Sequence, residues 1–240
     1  MLKIVIIGYG KMGKEIEKQL KNESCEISAI IDSEDDWKLY RKAFENSDVA
    51  IEFSTPNTVI NNLLQCFNAH IPVVCGTTGW AEETENMIKE CQKTSNALVY
   101  GSNFSIGANL FFKINELTAQ WMNHHQQYDV MIEETHHIAK KDAPSGTAIT
   151  TANIIINQLD RKNGWVLNDD HQPDNINILA HRIGNDPGTH VVRYRSDNDC
   201  IEITHQAFSR AGFAQGAIKA AFWLYKNRGI HPFHDIFMKI

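Results

Sequence analysis

Residues 2–13 read LKIVIIGYGKMG and decide the fold of the first half of the chain. The first six of them, Leu2 to Ile7, are apolar except for Lys3, a composition typical of a parallel strand that is buried on both faces. The glycine motif Gly8–Gly13 follows at once, and the apolar residues after it recur with helical spacing. The sequence therefore predicts a strand, a tight glycine turn and a helix in direct succession.

A Gly-x-Gly-x-x-Gly motif in this context is typical of dinucleotide binding, although a tight turn without a ligand is the alternative. The next predicted strand, Glu26–Ile31, ends at Asp32, where an acidic residue is expected to bind the adenosine ribose. One glycine makes the turn, one admits the pyrophosphate, and one lets the helix pack against the strand. The predicted cofactor contacts are Gly8, Tyr9, Gly10, Lys11, Met12, Gly13 and Asp32.

Predicted strands alternate with helices as far as Tyr100, which indicates an α/β fold with a Rossmann-like, doubly wound parallel sheet. Ligands bind at the carboxyl ends of such strands, so we expect the loops after them to face one crevice. For residues 76–78, which we predict to contact the cofactor, the alternative is a strand-to-helix turn without a ligand. The other predicted strands are Asp48–Phe53, Ile71–Cys75 and Ala97–Tyr100, and the further predicted cofactor contacts are Gly76, Thr77, Thr78, Gly101, Ser102, Asn103 and Phe104.

Two connections of this half are also predicted from composition. Ser33–Asn46 is polar and short, so it should be a compressed, irregular crossover. Ser54–Asn57 should begin a helix, with Pro56 in its first turn.

The second half of the chain has a different pattern. A long helix is predicted over Ile106–His125, and we interpret its Phe111, Phe112, Ile114, Leu117 and Trp121 as core residues. Short turns between the later strands predict antiparallel pairing, and Arg161–Pro173 has the composition of an exposed loop. This half is therefore predicted to be an α+β domain with a mixed or antiparallel sheet. Its predicted strands are Tyr128–Thr135, Asn175–Arg182, His190–Arg195 and Cys200–Ala207.

Two helices are predicted at the end of the sequence. Ser209 should cap the first, Gly212–Lys226, and the second should span Pro232–Met238. Because they follow the β-rich segment, we expect them to pack back on the first domain. The predicted domains are 1–105, 106–208 and the C-terminal helices of 209–240.

Composition limits the classes of function. The 240 residues include 42% hydrophobic residues and carry a formal net charge of -6, an ordinary soluble globular composition that argues against nucleic acid as a partner. No apolar run reaches the roughly 18 residues of a transmembrane helix, and the N-terminus lacks the features of a signal peptide. The five cysteines form no Cys-x-x-Cys pair, which favours a reduced cytoplasmic setting.

A basic loop interrupts this acidic chain. His136, His137, Lys140 and Lys141 place four potential cations within six residues, and an anionic ligand is the simplest explanation. A solvated surface turn is one alternative. Zinc bound by the adjacent histidines is another, although no Cys or third His occurs at ligand spacing in the sequence.

Residues that suit an anion also follow the loop. Ser145, Gly146 and Thr147 stand at the start of a predicted helix, Gly146–Leu159. Their hydroxyl and backbone N–H groups, together with the helix dipole, favour negative charge.

The stretch ETHHIAKKDAPSGTA, from Glu134 to Ala148, matches a family signature: Glu, His-His, Lys, then Asp-x-Pro-Ser-Gly-Thr-Ala. The whole chain resembles the dihydrodipicolinate reductase family, also called 4-hydroxy-tetrahydrodipicolinate reductase, of bacterial lysine and diaminopimelate synthesis. The resemblance implies an oxidoreductase that takes hydride from NADH or NADPH and reduces a cyclic imine with two carboxylates to tetrahydrodipicolinate. Further matches are the glycine motif, residues 76–78, 102–107 and 203–205, and Ser209-Arg210.

The resemblance also implies roles for individual residues. His136 would act in acid–base catalysis, and Lys140 would be a proton donor or an electrostatic partner of the substrate. His137 would contact the substrate, and Ser145, Gly146 and Thr147 would hold a carboxylate. We predict no metal site, because adjacent histidine side chains diverge. The resemblance assigns cofactor binding to 1–105 and substrate binding to 106–208, whose sheet would build a homotetramer.

The sequence departs from the family pattern at a few positions. Met131 stands where many members have Glu, and Glu133 where members are often apolar. Ser33 follows Asp32 where some members have Arg, and three acidic residues come next. These negative charges would repel the 2′-phosphate of NADPH, so the sequence predicts a preference for NADH. Nearby cations would weaken that preference if they folded back toward Asp32. Those cations are Lys11, Lys38 and Arg41.

Chemistry from the residues agrees with the resemblance. Reduction of an imine needs a proton as well as a hydride, and an imidazole with a pKa near neutrality suits that. A dianionic substrate needs fixed cations. Two alternatives stay open: another two-domain nicotinamide dehydrogenase, for amino acids or sugars, and a redox sensor that binds dinucleotide without turnover. His136 and Lys140 in one basic loop favour an enzyme.

Overall fold

The computed structural model describes residues 1–169 and 172–240, which form eleven strands and nine α-helices. No helix in these ranges combines the length and apolarity needed to cross a membrane. The strands are β1 (Leu2–Ile7), β2 (Cys25–Ile31), β3 (Val49–Glu52), β4 (Val73–Cys75), β5 (Leu98–Tyr100), β6 (Asp129–His136), β7 (Gly164–Leu167), β8 (Asn175–Arg182), β9 (Thr189–Arg195), β10 (Cys200–Gln206) and β11 (Ile230–Pro232). The helices are α1 (Lys11–Leu20), α2 (Glu34–Leu39), α3 (Arg41–Glu45), α4 (Val59–Asn68), α5 (Thr84–Lys93), α6 (Ile106–Met122), α7 (Gly146–Ile156), α8 (Ala211–Lys226) and α9 (Phe233–Ile236).

The chain divides into two compact units. Met1–Ile106 and Arg210–Ile240 together form the first unit, and Gly107–Ser209 forms the second. The first unit is therefore discontinuous in sequence.

Six parallel strands form the sheet of the first unit, in the order β11-β5-β4-β3-β1-β2. In β1, Ile4 and Ile6 pack on one face of the sheet, and Val5 and Ile7 pack on the other. A strand covered on both faces must be apolar at successive positions, which is the pattern that predicted it. The predicted doubly wound parallel sheet is confirmed.

Helices cover both faces of this sheet. α1, α8 and α9 pack on the face that contains Ile4, while α4, α5 and Phe44 of α3 pack on the opposite face. The segment after Arg210 thus contributes a helical layer and an edge strand, because β11 pairs with β5.

The sheet of the second unit has five strands in the order β10-β9-β6-β8-β7. Its central strand, β6, pairs antiparallel with β9 and parallel with β8. Apolar residues of α6 and α7 pack with those of β6, β8 and β9 in one core. The predicted mixed sheet in a second α+β unit is confirmed.

Two expectations for this sheet are wrong. The short turn between Asn175–Arg182 and Thr189–Arg195 does not join an antiparallel pair, because β6 lies between these strands. The segment Arg161–Pro173, expected to be a loop, contains β7, an edge strand whose Trp165 packs against the core. Asp170 and His171 in that segment lie outside the described residues.

The crossover after β2 is more regular than its polarity suggested. Ser33–Asn46 contains α2 and α3 instead of irregular chain. The Ser33 side chain caps α2, and Phe44 of α3 is fully buried. The helix expected to begin at Ser54–Asn57 begins at Val59.

Two expectations for the later helices are also wrong. In α6, Ile114, Leu117 and Trp121 are exposed, with 66% of Trp121 accessible, whereas Phe111 is buried. A helix buries one stripe, and the stripe here contains Phe111, so these three residues face away from the core. The N-cap position of α8 is Arg210 instead of Ser209.

Candidate active site

The glycine turn between β1 and α1 has the three properties expected of its glycines. Gly8 has a φ of 90°, and a Cβ atom there would lie 2.2 Å from the carbonyl oxygen of Phe53. A Cβ on Gly13 would lie 2.1 Å from the carbonyl oxygen of Gly8, so α1 needs glycine for this close packing. A Cβ on Gly10 would meet nothing within 4 Å. Open space at a helix N-terminus fits an approaching pyrophosphate.

Asp32 is connected to this turn through its side chain. Its Oδ1 atom accepts a hydrogen bond of 2.6 Å from the backbone N–H of Tyr9. Its Oδ2 atom has no hydrogen-bond partner among residues 1–169 and 172–240. The exposed carboxylate is therefore fixed in place, and its other oxygen can still accept a hydrogen bond from a hydroxyl group, as ribose binding requires.

Two cavities beside the turn share Ser54 in their walls. They have volumes of about 350 and about 320 Å³, a size suited to the two halves of a dinucleotide. Predicted contacts in the first are Gly10, Lys11, Met12, Gly76, Thr77 and Thr78, and those in the second are Gly8 and Asp32.

Other predicted contacts lie away from these cavities. The Tyr9 hydroxyl donates to the Glu17 carboxylate, and Gly13 is buried in the packing of α1. Phe104 is buried between Phe53 and Phe233, with ring centroids 5.7 and 4.4 Å away. Gly101, Ser102 and Asn103 precede it and line neither cavity.

The sequence placed the loop after β3 on the ligand side but named no residue in it. Ser54 in this loop donates its backbone N–H to Thr77 Oγ1 at 2.7 Å and its hydroxyl to Glu52. Asn62 donates to Glu52 at 3.2 Å. Glu52 is fully buried, and its hydrogen bonds hold the shared wall of the two cavities.

In the second unit, hydrogen bonds converge on Glu134. β6 places Glu134 and His136 on the same face, because side chains two positions apart in a strand point the same way. Glu134 is fully buried, and its oxygens accept from the Ser145 N–H at 3.0 and 3.1 Å and from Arg182 at 3.1 Å. Burial raises the pKa of Glu134, but the His190 imidazole 3.7 Å away and the hydrogen bonds from Ser145 and Arg182 outweigh it and lower the pKa to about 2. Glu134 is therefore ionised at neutral pH.

His136 is buried beside this carboxylate. Its Nδ1 atom lies 3.5 Å from Glu134 Oε2 and has no hydrogen-bond partner among the described residues. Burial, and then the charges of His190, Lys140 and Arg182, lower the pKa of His136 to about 4, although Glu134 opposes this shift. The expectation of a pKa near neutrality is wrong for this environment, and the imidazole is neutral at pH 7.

Ser145 begins α7 and connects it to the cluster. Its hydroxyl accepts from the Ala148 N–H at 3.2 Å as the N-cap and lies 3.1 Å from His190 Nε2. Gly146 is exposed at the first position of the helix, and Thr147 is half-buried. The backbone N–H groups of Gly146 and Thr147 have no acceptor among the residues that the structure describes, which suits a carboxylate.

The remaining residues of the basic loop differ in exposure. Lys140 is half-buried and hydrogen-bonds both oxygens of Asp142, at 2.7 and 2.9 Å. That contact lowers the pKa of Asp142. Lys141 is exposed, and His137 is half-buried. Arg182 links Glu134 to the backbone carbonyl of Asp142, so the loop is held against the buried cluster.

A metal site is the alternative explanation of this cluster. Glu134, His136 and His190 offer ligand-type atoms within 4.8 Å of one another. However, Glu134 already accepts from Ser145 and from Arg182, whose guanidinium opposes a cation at the same carboxylate. The arrangement is that of a hydrogen-bonded, ionised carboxylate with two neighbouring imidazoles.

Two family models match almost the whole chain. The model of the dihydrodipicolinate reductase N-terminus matches residues 2–104, and that of the C-terminus matches residues 107–237. The chain belongs to the dihydrodipicolinate reductase family. The resemblance found from the signature is confirmed, and with it the assignment to the oxidoreductases.

Relatives and solved structures agree with this family. A 4-hydroxy-tetrahydrodipicolinate reductase of Christiangramia forsetii is 44% identical, covering 98% of this chain and 97% of the relative. One of Rickettsia bellii is 34% identical, covering 96% and 92%. The fold is similar to that of a dipicolinate-bound dihydrodipicolinate reductase from Paenisporosarcina sp. TG-14, with a TM-score of 0.78, 22% identity, and coverage of 98% of this chain and 99% of that one.

In this dihydrodipicolinate reductase family member, sequence reasoning missed the residues that organise the cluster. The signature contains Glu134 but indicates no role for it, although its position two residues before His136 indicates a shared strand face. Arg182 and His190 come from β8 and β9, on either side of β6. No local pattern indicates them, because their proximity depends on strand order.

Proposed function

We propose that this chain reduces 4-hydroxy-tetrahydrodipicolinate, also called dihydrodipicolinate, to tetrahydrodipicolinate, with loss of water and with NADH preferred over NADPH. The observation that carries the proposal is the cluster in which Glu134 joins His136 to the Ser145 N-cap of α7. It places an acid–base group near donors suited to a carboxylate. In the family's pathway, the product leads to diaminopimelate and lysine.

The cofactor residues follow from the first unit. Gly8, Gly10 and Gly13 with Asp32 would hold the dinucleotide, and the bound nicotinamide would supply the hydride. Gly76, Thr77 and Thr78 would contact it from β4, in a wall that Ser54 braces. We retain as further contacts Tyr9, Lys11, Met12, Gly101, Ser102, Asn103 and Phe104.

The substrate residues follow from the second unit. Ser145, Gly146 and Thr147 would hold one carboxylate at the start of α7, and His137 with Lys140 would hold the other. A dianion beside His136 raises the pKa of that imidazole, because an opposite charge favours the protonated form. Substrate binding would thus charge His136, which then holds the proton that accompanies hydride transfer.

We propose a preference for NADH from the charges around Asp32. Lys38 pairs with Asp35 at 3.4 Å, and Arg41 pairs with Glu45 at 2.6 Å, so both cations already have acidic partners. Lys11 is exposed at the first cavity and is the remaining candidate to bind a 2′-phosphate. Because Lys38 and Arg41 are held by acidic partners, the negative charge of Asp32 favours the dinucleotide without the phosphate.

The assembly proposed is a homotetramer built through the sheet of the second unit. Met131, Glu133 and Thr135 alternate along β6 with core residues and are only partly buried. Glu133, one of the departures from the family pattern, pairs with Arg193 and lies 3.3 Å from His181. These contacts leave a half-exposed face for a second copy.

No metal, nucleic acid or membrane partner is proposed. We propose the cytoplasm as the location, which the five free cysteines support.

One assay tests the function. Wild-type protein is mixed with NADH or NADPH and the condensation product of pyruvate and aspartate semialdehyde, and the decrease of absorbance at 340 nm is followed. We expect turnover with a higher kcat/KM for NADH, and competitive inhibition by pyridine-2,6-dicarboxylate that exceeds inhibition by pyridine-2-carboxylate. Turnover of amino acids or sugars instead would favour another dehydrogenase. Dinucleotide binding without turnover of any of these would favour a redox sensor.

A further inference from the structure

The carboxylate of Asp36 lies against the residues that end β2. Its Oδ2 atom accepts hydrogen bonds from the Asp32 N–H at 3.0 Å, the Ser33 N–H at 2.9 Å and the Ser33 hydroxyl at 2.8 Å. The Ser33 Oγ atom accepts in turn from the Asp36 N–H at 3.2 Å. The hydroxyl of Ser33 is the main cause of a lowered pKa for Asp36, so this carboxylate is ionised at neutral pH.

These donors stand where a 2′-phosphate would need them. Asp32 and Ser33 line the second cavity, and a ribose bound by Asp32 presents its 2′ position to this edge. A phosphate there requires hydrogen-bond donors or a cation to replace its hydration. The two backbone N–H groups and the hydroxyl beside Asp32 are already satisfied by Asp36.

Asp36 also adds charge to the same position. With Asp32 it places two carboxylates at the end of β2, where many dinucleotide-binding proteins have one. The nearest following cation, Lys38, bonds Asp35 instead. Arg41 is held by Glu45 and by Gln65, the latter at 3.0 Å.

We propose that Asp36 is the residue that excludes a 2′-phosphate from the second cavity and so determines the preference for NADH. It acts by occupying the donors beside Asp32 and by its own negative charge. The proposal rests on the proposed role of Asp32 in holding the adenosine ribose.

The test compares three variants of the full chain. Asp36→Ala frees the donors and removes the charge, whereas Asp36→Asn removes the charge but keeps an acceptor for the donors. Glu26→Gln is the matched control, because it removes one negative charge from an exposed side chain near the start of β2 and leaves the Asp35–Lys38 pair intact. Calorimetric titration gives the Kd values of NADH and NADPH without any dicarboxylate substrate.

We expect the ratio of the NADPH Kd to the NADH Kd to fall roughly tenfold in Asp36→Ala, the effect of one hydrogen-bonded charge. The fall should be smaller in Asp36→Asn and absent in Glu26→Gln. Added salt should reduce the gain in NADPH binding, because screening weakens exposed phosphate contacts.

Several results would overturn the proposal. Wild-type protein that binds NADPH as tightly as NADH, or an equal change of ratio in Glu26→Gln and Asp36→Asn, would contradict it. Asp36→Ala could lose NADH binding as well. In that case the ratio of the NADPH Kd to the NADH Kd in Asp36→Asn decides whether Asp36 excludes the phosphate, because that variant keeps the cap of α2. Selective NADH binding without turnover in the reductase assay would remove the proposed function and leave this inference standing.

Discussion

A buried imidazole with a pKa of about 4 needs a change of environment before it can donate a proton at pH 7. His136→Gln keeps a polar side chain of similar length but cannot be protonated. We expect kcat to fall roughly 10²–10⁴-fold, the usual contribution of a general acid–base group, with an unchanged Kd for NADH. Steady-state kinetics with saturating substrate measures the first quantity, and calorimetry measures the second. A kcat within about twofold of wild type would remove His136 from the mechanism.

The same imidazole makes stability depend on pH. His136 has a pKa of about 4 in the folded chain and an ordinary value of 6.5, so between these values the unfolded chain binds more protons. Stability therefore decreases as pH falls through this range, by up to about 3 kcal/mol, and is fully present above pH 6.5. Urea unfolding at pH 7 and pH 4.5 should show a smaller pH effect in His136→Gln than in wild type. The exposed His124→Gln should retain the wild-type dependence.

The two adjacent lysines of the basic loop should differ in effect. Lys140 is held beside the cluster by Asp142, whereas Lys141 is exposed. Lys140→Ala should lower kcat/KM roughly 10²–10³-fold, the effect of losing one preorganised charge in an active site, and Lys141→Ala should have little effect. Parallel kinetics of both variants test this, and a larger loss in Lys141→Ala would contradict our placement of the two side chains.

Sequence reasoning at this scale identified residues near one another along the chain. His136 and Ser145 belong to one short stretch whose residue types indicate anion binding, and the structure brings both to Glu134. It did not identify His190, which is 45 residues from Ser145 and meets it only through the pairing of β6 with β9. The low pKa of His136 was also missed, because it depends on burial that adjacent residues do not specify.

At the scale of elements, one glycine sets how closely α8 approaches its neighbour. A Cβ on Gly216 would lie 1.8 Å from the carbonyl oxygen of Phe104. Gly216→Ala must therefore displace the helix, and we expect a loss of roughly 1–3 kcal/mol, as in other overpacked cores. Gly212→Ala in the same helix is the control, because its Cβ would meet only Ser105 Oγ at 3.9 Å. Thermal unfolding should show a lower Tm for the first variant and no loss for the second.

Elements with a strong apolar pattern were predicted well, and short edge elements were not. β1 spans Leu2–Ile7 as expected, because burial on both faces leaves an unmistakable apolar run. β7 and β11 are edge strands of four and three residues, which are too short to show a recognisable alternation of apolar and polar residues. In α6, apolar residues occur on both faces, so the pattern alone could not identify the buried one.

At the scale of the whole molecule, the first unit is completed by a distant segment. α8 supplies Ala214, Ala217 and Leu224 to the core on one face of the parallel sheet. A chain ending at Ser209 would lack this layer and the edge strand β11. We expect it to bind the dye 8-anilinonaphthalene-1-sulfonate and to lose cooperative unfolding of the first unit. Cooperative unfolding with full NADH affinity in that chain would show that the segment is dispensable.

The discontinuous first unit also has a consequence during synthesis. The residues up to Ile106 leave the ribosome well before those after Arg210, which supply the missing layer. At roughly 5–20 residues per second, the intervening chain takes on the order of 5–20 seconds to translate. For that time this face of the nascent sheet has α1 but lacks α8 and α9, and the apolar residues that those two helices cover are available to chaperones or to neighbouring nascent chains. Slower translation of the second unit would lengthen this exposure without changing any residue of the finished protein.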